Sequence, residues 1–149
     1  MTRVVYPEPG AAERLCQIER AAYAKDESAW SAADYIALGA PPEAAIIADD
    51  KVERGMLLLR FAADEGEVLN LAVSPEARGQ GLGRALLVDG IALARNLKIA
   101  RLFLEVAIDN TPALALYRSC GFEEFGRRNG YFQRPDGSRV DAILMTMVL

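Results

Sequence analysis

The hydrophobic period of this chain changes once within a short span, and the change happens across Arg78-Gly79-Gln80-Gly81-Leu82-Gly83. Before it, Glu67-Val68-Leu69-Asn70-Leu71-Ala72-Val73 reads as a strand, and Ser74-Pro75 closes it because proline cannot donate to a ladder. After it, Leu82, Leu86, Leu87, Ile91, Leu93, Ala94 and Leu97 recur at three- and four-residue spacing, the mark of a helix with one broad buried face. The glycines therefore fall in a strand-to-helix turn. Glycine permits positive φ there and lets a bulky anion approach the main chain. The first N–H groups of the helix have no internal partner, and the helix dipole adds partial positive charge. The turn predicts a phosphate site, flanked by the charges of Arg78 and Arg84.

Other phosphate-binding turns do not fit the letters. A P-loop needs a lysine and a hydroxyl residue after its last glycine, and neither follows here, which argues against ATP or GTP hydrolysis. A dinucleotide fingerprint needs Gly-x-Gly-x-x-Gly near the start of a parallel array; this chain has Gly79-x-Gly81-x-Gly83 in its middle.

Composition narrows the function classes. A chain of 149 residues fits one domain spanning 1–149, large enough for a core without staples. Its net charge of −4, with no block of like charge, disfavours nucleic acid as the main ligand but suits an amine or a basic peptide. Cys16 and Cys120 lie in unlike contexts with no Cys-x-x-Cys, so both are expected reduced, as small buried hydrophobes. Histidine is absent, which excludes His-based triads and weakens any metal hypothesis; no metal is expected. The N-terminal stretch lacks a signal-peptide run and no segment is long enough to span a bilayer, so a cytoplasmic protein without membrane partners is expected.

The remaining elements follow in order. Thr2 to Tyr6 reads as a strand stopped by Pro7 and Pro9, and Leu15, Ile18, Ala22 and Tyr23 mark a helix from about Ala11 to Ala24. A polar break, Lys25-Asp26-Glu27-Ser28, precedes a short helix capped by Ser31, with Asp34 at its third position and Gly39 at its end. Ala44 to Ala48 and Val52 to Ala62 predict a hairpin about Asp49-Asp50-Lys51, and Asp64-Glu65-Gly66 a second turn. Past the long helix, Arg101 to Val106 is a compact strand. Asn110 caps a helix that Gly121 ends, with Pro112 in its first turn. Phe122 to Phe132 and Val140 to Val148 are the last strands, joined at Pro135-Asp136-Gly137. The order is β-α-α-β-β-β-α-β-α-β-β.

That order and three blocks together resemble the GCN5-related N-acetyltransferases, the GNAT superfamily. Arg78-Gly79-Gln80-Gly81-Leu82-Gly83 is similar to the family's pyrophosphate loop. Asn110 with Ala115-Leu116-Tyr117 and Gly121-Phe122 is similar to its second cofactor-contacting segment. Leu104-Glu105-Val106, with Arg127-Arg128-Asn129-Gly130-Tyr131 and Asp141-Ala142-Ile143-Leu144-Met145, resembles the RimI-type branch, the ribosomal-protein-alanine N-acetyltransferases. The resemblance covers nearly the whole chain and is strongest from Glu67 onward. It implies an α/β (α+β) fold: a mixed, mostly antiparallel sheet of about seven strands, helices on both faces, and a V-shaped splay between strands 4 and 5.

The resemblance also assigns roles. It implies acetyl-CoA as co-substrate, held by the main chain of Leu71, Ala72 and Val73, by the loop from Arg78 through Gly79, Gln80, Gly81, Leu82 and Gly83 to Arg84, and by Asn110. Glu105 is the candidate general base, and strand alternation places it opposite Leu102, Leu104 and Val106. Tyr117 is the candidate general acid, and Tyr131 a candidate lining for the peptide entrance. Glu65, Glu67, Glu105 and Asp109 are candidates to attract a basic peptide. The acceptor implied is the N-terminal α-amine of a protein, alanine on a small-subunit ribosomal protein, attacked directly without an acyl-enzyme by a monomer or weak homodimer. A lysine or small-molecule amine, or a non-catalytic acyl-CoA-binding module, are the alternatives. Ala107 departs from the arginine that relatives often carry after Leu-Glu-Val, which bears on acceptor preference.

Overall fold

The computed structural model describes residues 1–23 and 30–149. The expected helix end at Ala24 and the polar break Lys25-Asp26-Glu27-Ser28 lie outside the described residues. β1 (Thr2–Val5) is followed by α1 (Pro9–Ala22) and α2 (Ala32–Leu38). Three strands come next: β2 (Ala44–Asp49), β3 (Gly55–Ala62) and β4 (Glu65–Val73). After the glycine loop come α3 (Leu82–Asn96), β5 (Arg101–Ala107), α4 (Thr111–Ser119), β6 (Glu123–Gln133) and β7 (Arg139–Val148). The seven strands form one sheet in the order β1-β2-β3-β4-β5-β7-β6. Every neighbouring pair is antiparallel except β4 with β5.

Several boundaries differ from the sequence expectation, each for a local reason. Pro9 begins α1 rather than stopping β1, since a missing N–H is harmless at the first helical position and the Glu8 carboxylate accepts from the Ala11 N–H. β3 begins at Gly55, not Val52. The buried Asp49 carboxylate gathers the N–H groups of Glu53, Arg54 and Gly55, the last two at 2.8 and 3.0 Å, and curls the chain back on itself. Val52 is carried into that loop with φ of +55°. The second turn is Ala63-Asp64, so Glu65 and Gly66 already pair with Ala62 and Phe61. At α2 the expected cap is complete: Ser31 Oγ accepts from the Asp34 N–H at 3.2 Å, and Asp34 Oδ2 accepts from the Ser31 N–H at 2.8 Å.

Helices cover both faces of the sheet. Leu86, Leu87, Ile91 and Ala94 of α3 pack on Ile47, Leu57 and Leu59, in a core that Leu114 and Tyr117 of α4 extend toward Val106 and Ile143. On the other face Leu15, Cys16 and Ile18 of α1 and Tyr35 of α2 pack on Ile46, Met56, Leu58 and Ala72. Cys16 is buried as expected, whereas Cys120 is only partly so. No helix among the described residues is long and apolar enough to cross a membrane.

The functional region follows from one interruption. β4 pairs with β3 along its whole length, but with β5 only where Glu65–Val68 faces Arg101–Leu104. Leu69 is an extra residue between the Val68–Leu59 and Asn70–Leu58 pairs, and a bulge of this kind bends its strand. Beyond it β4 and β5 part, which is the expected splay.

Candidate functional site

The splay opens a cleft of about 820 Å³ between the C-terminal ends of β4 and β5. That is the size of a pocket for a substantial small molecule. Its first wall is main chain. The Ser74 N–H donates to the Arg54 carbonyl at 2.7 Å, so strand alternation turns Ala72 toward β3 and turns Leu71 and Val73 toward the cleft. Two cleft-side contacts agree with this: the Leu71 carbonyl accepts from the Tyr23 hydroxyl at 2.8 Å, and the Val73 carbonyl from Arg78 Nε at 3.2 Å. Ala72 does not line the cleft: its main chain faces β3 and its side chain is buried in the α1 and α2 core, so Leu71 and Val73 provide the exposed edge.

The glycine loop forms the floor. A 3-10 turn, Pro75–Ala77, comes between β4 and the loop. Gly79 and Gly81 have φ of +74° and +81°, and Gly81 is the N-cap of α3 with no side chain capping it. A Cβ on either would meet nothing within 4 Å, so these glycines are required by backbone conformation and face open space. Gly83 is different: it lies inside α3, and a Cβ there would stand 3.4 Å from Leu116, so it serves helix packing. The flanking polar side chains act as ties as well as charges. Arg78 bridges the Val73 and Ala22 carbonyls, Gln80 Nε2 donates to the Glu76 carbonyl at 3.0 Å, and Arg84 Nη1 donates to Ser119 Oγ at 2.8 Å. What the loop offers an anion is the N-terminus of a fifteen-residue helix, beside Leu82 and two nearby guanidinium groups.

The opposite wall carries the ionisable groups. Glu105 projects from β5 on the face away from Leu102, Leu104 and Val106, as alternation requires, and lines the cleft with Tyr117. Tyr117 is 6% exposed, with its ring edge-on to Phe122 at 5.7 Å. Burial, helped by the nearby Tyr23, pushes the Tyr117 phenol well above its ordinary range. Asn110 lines the cleft and spends its side-chain oxygen on the Ala113 N–H at 3.3 Å, as the N-cap of α4. Tyr131 is half exposed on β6, outside the cleft lining, and the nearby Glu105 carboxylate raises its pKa.

Three of the four carboxylates expected to attract a basic peptide, all but Glu65, are engaged by arginines. Glu67 pairs with Arg60 at 3.0 Å, Glu105 with Arg128 at 3.4 Å, and Asp109 with Arg134. Arg128 touches the cleft residue Glu105 without lining the cleft itself, and sequence reasoning passed over it although it stands within the Arg127–Tyr131 block. Its guanidinium also lies 5.1 Å from the centre of the Tyr131 ring. Tyr23, Glu19 and Trp30 were missed for another reason, being distant in sequence from β4 yet lining the same cleft. Glu19 is a buried carboxylate that accepts from the Trp30 N–H and the Tyr35 hydroxyl, tying α1 to the start of α2.

Comparison with known proteins agrees with this geometry. Residues 12–122 match the model of the acetyltransferase (GNAT) family. A [ribosomal protein bS18]-alanine N-acetyltransferase of Escherichia coli K12 is 45% identical over 90 residues, which is 60% of each chain. The alignment thus spans well under two thirds of that curated relative. The crystal structure of the ribosomal-protein-S18-alanine N-acetyltransferase from Escherichia coli superposes with a TM-score of 0.84 at 30% identity, covering 99% of this chain and 94% of that one. A ribosomal-protein-alanine N-acetyltransferase from Brucella melitensis shares the fold, at TM-score 0.84 and 23% identity over 100% of this chain and 99% of that one. The family match spans most of the sequence, the loop and the splay included: this chain belongs to the GNAT acetyltransferase family.

Proposed function

We propose that this protein transfers the acetyl group of acetyl-CoA to the N-terminal α-amine of a protein, alanine of a small-subunit ribosomal protein being the favoured acceptor. One observation carries the reading: the splay brings a strand edge that β5 leaves unpaired, a helix N-terminus, a carboxylate and a buried phenol to the same cleft. The relatives' names point to the same acceptor.

Each part has a task. The N-terminus of α3 and the Gly79–Gly81 turn take the pyrophosphate of CoA, and the Leu71 and Val73 edge pairs with its pantetheine arm. Main-chain N–H on that edge polarises the acetyl oxygen, where negative charge develops. The amine nitrogen attacks the thioester carbon, the C–N bond forms, and the C–S bond breaks. The nitrogen's proton passes to Glu105, directly or through water, and Tyr117 donates a hydrogen bond and then its proton to the departing thiolate. No acyl-enzyme is involved. An α-amine with pKa about 8 is roughly one-tenth neutral at pH 7, whereas a lysine near 10.4 is neutral in fewer than about one molecule in a thousand. A single carboxylate base therefore suits the α-amine.

Intact-mass analysis after incubation with acetyl-CoA tests this. An alanine-starting peptide carrying an internal lysine gains one acetyl, and the same peptide with a blocked N-terminus gains none. Acetylation of the blocked peptide moves the assignment to lysine, and no product from either removes it.

A further inference from the structure

We infer that the Arg128 guanidinium occupies the place of the acceptor's ammonium group: it is an internal cation that the incoming amine displaces from the Glu105 carboxylate and the Tyr131 ring. This rests on the reading that the α-amine docks at Glu105. Arg128 Nε lies 3.4 Å from Glu105 Oε1, and its guanidinium carbon lies 5.1 Å from the centre of the Tyr131 ring. A carboxylate beside an aromatic face is the pair of surfaces that receives a small organic cation. Arg128 touches both at once, which sets the two surfaces side by side.

The pair is built to be exchanged. Its separation exceeds that of a tight charge-assisted bond, and the Arg128 and Glu105 side chains are 54% and 27% exposed. Ion pairs of this kind hold weakly, because water competes for both partners. Neither does the fold depend on it, since β6 is already fastened to β7 on both sides of the irregular stretch from Arg128 to Phe132. The neighbouring Arg127 faces Glu124 instead, at 3.8 Å. An ammonium arriving at Glu105 takes over the guanidinium's position and passes its first proton by way of the carboxylate to solvent. Its lone pair is then free for attack, and Glu105, ionised again, takes the second proton as the C–N bond forms. Arg128 accordingly sets acceptor affinity by competing for the site.

Binding of an alanine-starting peptide and of its desamino analogue, in the presence of CoA so that no turnover occurs, separates this from a structural role. Arg128→Gln is expected to tighten the amine-bearing peptide by about two- to fivefold, the worth of an exposed ion pair, and to leave the desamino peptide unchanged. Arg128→Lys keeps the wild-type ratio of the two affinities. Arg127→Gln, with the same change of charge one residue away, alters neither. The inference is overturned if Arg128→Gln weakens the amine peptide, shifts both peptides alike, or leaves both unmoved, or if Arg127→Gln reproduces the gain. Intact-mass analysis on wild type runs alongside. Acetylation of the peptide with any of those overturning results removes this inference alone, and neither acetylation nor binding by wild type removes the proposed function with it.

Discussion

The two halves of the sheet are built to different rules. β2 and β3 are packed between α3 on one face and α1 with α2 on the other, and all six residues of β2 are buried. Polar groups that enter this half are answered from within: Asp49 by three backbone N–H groups, Glu19 by Trp30 and Tyr35. In the half formed by β5, β7 and β6, most of β6 is exposed, and the carboxylates Glu105 and Glu124 meet arginines in solvent-accessible pairs. Phe125 is 55% exposed there, touching Phe103 edge-on at 5.9 Å. The first half is a frame, and the second is a surface that can rearrange. The cleft lies at their seam, taking main chain from β4 on the frame side and titratable side chains from β5 and α4 on the open side.

If that division is right, the largest effects on catalysis come from the open side without loss of stability. Glu105→Gln is expected to lower kcat by about 10²- to 10⁴-fold, the usual contribution of a general base, with Tm nearly unchanged because the side chain is partly exposed. Steady-state rates and a thermal melt on the same sample check both. Tyr117→Phe keeps the ring against Phe122 and removes only the hydroxyl, and a fall in kcat of about 10²-fold is expected. A fall in Tm with kcat intact would instead make Tyr117 a core residue of the frame.

The same division explains what the sequence disclosed. The glycine loop, the strand feeding it, the capping box at Ser31 and the alternation around Glu105 are local patterns, and local patterns are readable in one dimension. So was the order of elements, while the seven-stranded mixed sheet was implied by the resemblance to the acetyltransferase family. The hairpin start was misplaced because Val52 is apolar and β-branched, while the determinant is a long-range one: a buried Asp49 drawing in three N–H groups. Arg78 read as phosphate charge, but its ties to the Val73 and Ala22 carbonyls exist only once α1 lies against β4. The row of acids read as a funnel because arginine partners such as Arg60 and Arg128 lie on other strands or far along the chain. Pairings across the fold are what sequence periodicity does not carry.

Asp49→Ala tests the frame side. It strips a buried charged acceptor from three N–H groups of the loop that leads into β3, at a cost of about 3 kcal/mol, or roughly 6–12 °C in Tm for a chain of this size. Activity per folded molecule should hold. Burial alone would raise the Asp49 pKa, but the Arg54, Gly55 and Glu53 N–H groups and the Arg54 charge outweigh it and hold the carboxyl below its usual value. Its stabilising share is therefore complete above the unfolded pKa of about 3.9 and is lost as pH falls through the lower folded value. Acid unfolding of Asp49→Ala should lack that component, which a pH series of melts would show.

Gly81→Ala probes the seam. Its φ of +81° strains any L side chain by about 1–2 kcal/mol, although no neighbour obstructs the methyl group. Acetyl-CoA KM is expected to rise about tenfold as the turn relaxes and the methyl enters the anion's space, with acceptor KM little changed. Equal changes in both would mean that loop and acceptor wall are mechanically coupled.

The smallest effect should come from Glu67. Its pair with Arg60 spans β3 and β4 at 3.0 Å, with side chains 59% and 45% exposed for Arg60 and Glu67. Such a pair contributes about 0–1 kcal/mol and fades with salt. A double-mutant cycle with Glu67→Gln and Arg60→Gln should therefore give a coupling below about 1 kcal/mol at low ionic strength, vanishing near 1 M salt. The acceptor is affected no more strongly. Arg60 already offsets the charge, so Glu67→Gln should leave the KM of a basic peptide within about twofold. A larger rise would show that the peptide reaches past Glu105 along the strands and displaces Arg60 as well, which would extend the rearrangeable surface across the seam onto β4.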